Sequence, residues 1–214
     1  MKKIAIFTSL IILTILLSSC ASKEIEHRER SDEFIADINP FEIGVFHLYT
    51  TVNLKKPKVS DLTVTFAPRT NTIFVYGRVG LDVIRVGFPY DERLSINKAR
   101  EEYLEQYTNS TIPNIRPNKK NAYSKGQAKI EWGLAGASHE VYTTYMTNAQ
   151  YLELNKPYFR IYFDSKEEAG KEQVYSPRLS IYISPAQWEQ ILEACNQDRL
   201  VQMTDEILAQ AEAF

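Results

Sequence analysis

The 214-residue chain carries 25 Lys and Arg against 27 Asp and Glu, with 44% hydrophobic and 12% aromatic residues. That apolar content is enough to bury a core without disulfide or metal staples, and the composition excludes disordered, collagen-like, coiled-coil and multi-span membrane classes. A formal charge of -2 lacks the basic surplus of a dedicated nucleic-acid binder.

The chain opens with Lys2 and Lys3, continues through the apolar run Ile4 to Leu17 and reaches Leu17-Ser18-Ser19-Cys20. This is the anatomy of an export signal, and its apolar run is short of the ~20 residues needed to span a bilayer. The last four residues resemble the lipobox of bacterial lipoproteins. That resemblance implies a signal peptide over 1–19, lipidation of Cys20 as the mature N-terminus, and membrane attachment through it. At ~0.8 kcal/mol per buried methylene, several acyl chains hold a protein durably. Ala21, rather than Asp, follows the cysteine. The resemblance therefore implies a cell-envelope location, at the outer membrane in a two-membrane bacterium. Loss of Lys2 and Lys3 leaves 23 basic and 27 acidic residues, and lipidation of Cys20 leaves Cys195 as the one thiol, so an internal disulfide is impossible.

Residues 21–33, ASKEIEHRERSDE, are polar and aperiodic, so 20–33 reads as a lipidated cysteine and tether preceding a globular domain over 34–214. Within that domain, 45–54 reads as a strand, rich in β-branched and aromatic residues. Leu62-Val64-Phe66 and Ile73-Val75-Val79 alternate at period two around Pro68-Arg69-Thr70-Asn71, which predicts a hairpin; Asp82 to Phe88 continues the alternation. After Pro89 the period becomes helical, with Ile96, Ala99, Tyr103, Leu104 and Tyr107 on one stripe and Arg100, Glu101, Glu102 and Glu105 outside it. Residues 108–121 read as a linker between halves 34–107 and 122–214.

The second half repeats the order, with strands near 122–134, 138–147, 157–164 and 178–183. A helix follows, which Ser184, Pro185 and Gln187 open as a capping box with proline in the first turn. Trp188, Ile191, Leu192 and Cys195 share its buried stripe, and Leu200, Met203, Ile207 and Leu208 continue into a terminal helix. The expected fold is α+β: an antiparallel sheet in two β-β-β-β-α-like halves with a C-terminal helical segment. The order is similar to that of the Pur-alpha repeat, but no residue motif of that family is present.

No phosphate loop, dinucleotide fingerprint or metal-ligand spacing occurs, so no cofactor, metal or catalytic residue is assigned. Ser138-His139-Glu140 reads as a polar turn into a strand. The alternative is an envelope hydrolase built from His139 and dispersed carboxylates such as Asp91/Glu92 and Glu167/Glu168. A more informative pattern lies opposite the aliphatic strand faces. There Tyr158, Arg160 and Tyr162, with Phe74, Tyr76 and Arg78, form an aromatic and arginine-bearing face suited to an envelope protein or glycan partner. The sequence thus predicts a membrane-anchored, non-catalytic binding module, with nucleic acid disfavoured as a partner by export and acidity.

Overall fold

Period-two alternation runs through most of the strands, each turning its buried row to the same side, and the chain satisfies these rows by rolling them around a common interior. The structure, a computed structural model, describes residues 28–79, 82–134, 139–152 and 156–213. Its strands are β1 (Phe41–Val52), β2 (Lys58–Ala67), β3 (Thr72–Val79), β4 (Asp82–Phe88), β5 (Ser124–Leu134), β6 (His139–Tyr151), β7 (Pro157–Phe163) and β8 (Leu179–Ile183). Each pairs antiparallel with the next, and β8 returns to β1, closing the barrel. Three helices complete it: α1 (Tyr90–Thr108) between β4 and β5, then α2 (Pro185–Cys195) and α3 (Gln197–Glu212) after β8.

This corrects the expected α+β sheet in two halves. Residues Asp82 to Gly87 of β4 pair with Lys129 to Leu134 of β5 across the long helical connection, so no boundary separates 34–107 from 122–214. The protein is a mostly-β closed barrel. Closure removes the sheet edges that two flat halves would have exposed.

Inward rows include Leu62, Val64 and Phe66 of β2, Ile84, Val86 and Phe88 of β4, and Phe159, Ile161 and Phe163 of β7. Phe66, Phe159 and Phe163 are completely buried, each contributing about 1.5–3 kcal/mol of transfer free energy. Outward rows mix charged residues with aromatic and aliphatic ones, among them the exposed Val45, Val59 and Tyr142. Arg85 pairs with Glu131 at 2.8 Å, and Lys129 pairs with Glu131 and Glu140 at 3.0 and 2.6 Å, a charged ladder across β4, β5 and β6.

At one end the barrel is covered by Trp132 and His139, whose rings stack at 5.3 Å, and by the segment after β7, from which Glu168 meets His139 Nδ1 at 2.7 Å. Helices cover the opposite end. Tyr103 of α1 is fully buried, its ring lies edge-on to Phe159 at 5.5 Å, and its hydroxyl donates to the Pro157 carbonyl at 3.0 Å. At the start of α1, Glu92 accepts from the Tyr145 hydroxyl at 2.5 Å and from the Gln127 amide at 3.0 Å. Gly126 makes this approach possible, because a Cβ there would sit 2.1 Å from Glu92 Oε2 and 2.7 Å from the Tyr145 ring.

The β1–β8 ladder covers only Tyr49 to Val52, so Phe41 to Leu48 has no strand on that flank. Helix α2 packs there instead, and Gln187 Nε2 donates to the His47 carbonyl at 2.8 Å. Its capping box is formed as expected, with Ser184 and Gln187 bonding each other's backbone amides. Asn196 then caps α3 by accepting from the amides of Asp198 and Arg199. The chain joins this body ahead of β1: Phe34, Ile35 and Ala36 are buried, Ile35 donates to the Pro68 carbonyl at 2.8 Å, and Arg30 pairs with Asp205. Cys20 and the 1–19 segment lie outside the described residues.

Candidate functional site

Between the barrel interior and the helix layer lies a cavity of about 480 Å³, within the size range of small-molecule sites. Strands contribute aliphatic and aromatic wall, including Phe46 and Leu48 of β1, Leu62 and Val64 of β2, Ile73 and Val75 of β3, and Ile181 and Ile183 of β8. Helix α2 adds Trp188, Ile191, Leu192 and Cys195. The four residues share a stripe as their spacing predicts, but Ile191, Leu192 and Cys195 are only partly buried because the stripe faces a void rather than packed side chains.

Helix α1 supplies the polar part. Arg93, Asn97 and Arg100 follow one another at roughly one-turn spacing, beside Ile96 on the same lining surface. Arg93 Nη2 donates to the Asn71 carbonyl at 3.0 Å, to Asn71 Oδ1 at 2.6 Å and to Gln197 Oε1 at 3.1 Å, tying α1 to the β2–β3 corner and to α3. Asn71 reaches this position in a left-handed turn, φ 43°. Arg100 is 13% exposed at its side chain and, among the described residues, donates only to Glu101, at 3.2 Å. The Nε atoms of Arg93 and Arg100 and the Trp188 Nε1 are buried without hydrogen-bond partners among the described residues, as is Asn97 Oδ1. Among the described residues no Asp or Glu lines the cavity. Burial pulls Arg93 down to about 10 and pushes the Cys195 thiol up to about 11, so at neutral pH Cys195 is protonated and gives Arg93 no counter-anion.

The residues singled out from the strand alternation face outward. Strands β3 and β7 stand on opposite sides of the eight-strand ring, so Phe74, Tyr76 and Arg78 do not share a face with Tyr158, Arg160 and Tyr162. On β3, Phe74 lies under the Arg85 guanidinium at 3.6 Å, Tyr76 flanks it at 5.3 Å, and Arg78 is exposed. On β7, Tyr158 packs edge-on to Tyr49 at 5.8 Å. Arg160 and Tyr162 instead line an open recess of about 600 Å³ on the outer wall, with Lys55, Arg116, Lys119 and Arg178 and one carboxylate, Asp164. Arg160 Nε donates to Ser180 Oγ at 3.0 Å, and its guanidinium lies 4.4 Å from the Tyr162 ring centre.

The carboxylate pairs do not converge. Glu92 is engaged at the helix-covered end of the barrel, whereas Glu167 and Glu168 lie at the other end, where Glu168 binds His139 and Lys171. Among the described residues no three His, Cys, Asp or Glu side chains group to hold a metal. The cavity itself was not foreseen from sequence, which placed Arg100 on the solvated side of α1. Its signal is the pair of arginines bordering the apolar stripe, and that becomes readable only once α2 and α3 are known to cover this flank.

No solved structure matches this chain. A protein of Treponema pallidum (strain Nichols), described as "Uncharacterized protein", is 26% identical over 179 residues, covering 83% of this chain. The chain spans 65% of that relative's length. With a family model matching residues 22–202, the chain belongs to the family described as uncharacterised Treponema protein.

Proposed function

We propose that this protein is a lipid-anchored, non-catalytic binding module of the bacterial cell envelope that takes up a small, largely apolar molecule inside its barrel. The observation that carries this reading is the cavity of about 480 Å³, walled by aliphatic residues of five strands and bordered by α1 and α2. A barrel of eight strands is at the size where the interior is either filled by side chains or holds one small ligand. Here it is filled on the β5–β7 side by Tyr145, Phe159 and Phe163 and left open on the β1–β3 side. The charged ladder across the outer faces of β4, β5 and β6 and the signal ending at Cys20 favour a domain held beside a membrane rather than in it.

Equilibrium titration of the purified protein with an environment-sensitive alkyl fluorophore tests the binding reading. Saturable uptake, displaced by unlabelled alkyl compounds, is expected; emission that never saturates contradicts it. For the anchor, Cys20→Ser is expected to release the protein from membranes or stall its precursor. Mass spectrometry showing unmodified, internal Cys20 in the membrane-bound wild type contradicts it.

A second, outward contact is favoured by the recess around Arg160 and Tyr162, where five cationic side chains accompany one carboxylate on an acidic chain. It fits an acidic envelope protein or glycan. Arg160→Ala is expected to weaken capture of that partner without lowering cavity binding, and unchanged capture contradicts the contact.

A further inference from the structure

The cavity is not uniformly apolar. Its walls present two guanidinium groups and no carboxylate, and the guanidinium valences are only partly used. Arg93 spends Nη2 on three oxygens, but its Nε is buried and orphaned and its Nη1 makes no hydrogen bond among the described residues. Arg100 reaches only the surface carboxylate of Glu101, and its Nε is likewise orphaned. Buried polar groups are paired in the great majority of native sites, and unpaired buried charge is costly, so two under-satisfied arginines beside an apolar chamber mark a place where a charged acceptor completes the structure.

Building on the binding function proposed above, we propose that the ligand is a single-chain aliphatic amphiphile with an anionic oxygen head, its chain in the barrel and its head between Arg93 and Arg100. The chamber matches this in two parts. Leu62, Val64, Ile73, Val75, Ile181 and Ile183 supply wall with no hydrogen-bonding side-chain atoms, suited to a hydrocarbon chain. Arg93 and Arg100, about two turns apart on one face of α1, supply planar donors that match carboxylate or phosphate oxygens. Leu94, 52% exposed at the rim, sits between them in sequence and marks where the chamber reaches the surface, so the head lies near the entrance and the chain beyond it. A cationic head is rejected by the same two charges. A neutral head leaves the guanidinium donors unpaired, so it binds more weakly than the anion of equal chain length.

The test uses the purified protein and four probes of one chain length, each below its micelle concentration: dodecanoate, dodecyl phosphate, dodecanol and dodecyltrimethylammonium. Dodecanoate or dodecyl phosphate is expected to bind at least tenfold more tightly than dodecanol, with the cation weakest. The ratio between the two anions distinguishes a fatty-acid-like from a phospholipid-like head. Arg100→Gln, which removes one ion pair, that with the exposed Glu101, is expected to weaken anion binding about tenfold, equivalent to ~1.4 kcal/mol. It should leave dodecanol unchanged, and Arg100→Lys should recover part of the loss. Equal binding of dodecanol and the anions, or an unchanged anion affinity in Arg100→Gln, overturns the head-group assignment while the binding function stands. Failure of every probe, alkyl fluorophore included, overturns both.

Discussion

Tyr145→Phe removes one of the contacts that fasten α1 to the barrel. The ring of Tyr145 is 1% exposed and remains in place in the variant, so no cavity term arises; what is lost is the hydroxyl that donates to Glu92 Oε2 at 2.5 Å. Hydrogen bonds to charged groups contribute about 1.5–3 kcal/mol, and the second oxygen of Glu92 stays bound to the Gln127 amide. At about 2–4 °C per kcal/mol for a domain of this size, the melting temperature at pH 7 should fall by about 3–12 °C. A double-mutant cycle with Glu92→Gln, read by chemical denaturation, should give a coupling of about 1 kcal/mol or more. A melting temperature within about 1 °C of wild type, together with negligible coupling, would refute the assignment of this contact as one that fastens α1.

Ser184→Ala removes the capping box that opens α2, where Gln187 also binds β1, and should cost about 0.5–2 kcal/mol by denaturant unfolding. A cost near zero would show that the Gln187 contact alone sets the helix start. Burial is the first cause holding the protons of Tyr103, Tyr123 and Tyr145: Tyr123 is pushed up to about 12, and the other two are raised further. Because unfolded tyrosine ionises near ~10, their contribution to stability is present below that pH and is lost as pH rises toward the folded values. Ultraviolet titration of tyrosinate should therefore show three of the thirteen tyrosines releasing protons only with unfolding, whereas complete titration of a still-folded protein would contradict their burial.

Local structure was readable where it depends on neighbours in sequence. Strand β4 spans Asp82–Phe88 as its alternation predicts, and the Ser184 capping box is present because its partners are three residues apart. Closure was not readable. An aliphatic row looks the same whether a helix or the far wall of a barrel covers it, and the closing ladder joins Thr50 to Ile181, residues with no local relation. The same blindness affected the site. Arg100 sits among Glu101, Glu102 and Glu105 in sequence and reads as solvated, yet α2 and α3 fold over its flank and place it on a cavity wall. Phe74 and Tyr162 share a pattern of alternation and therefore looked like one face, but a ring of strands points equivalent residues in opposite directions.

The most direct measurement follows Trp188. The chain has two tryptophans: Trp188 lines the cavity, and Trp132 stacks on His139 at the other end of the barrel. Dodecanoate brominated along its chain should quench the emission of a Trp132→Phe variant saturably, at the concentration at which it displaces the alkyl fluorophore, and should leave a Trp188→Phe variant nearly unquenched. Saturable binding that quenches Trp132 instead, or that leaves Trp188 untouched, would contradict a ligand site inside the helix-covered end of the barrel.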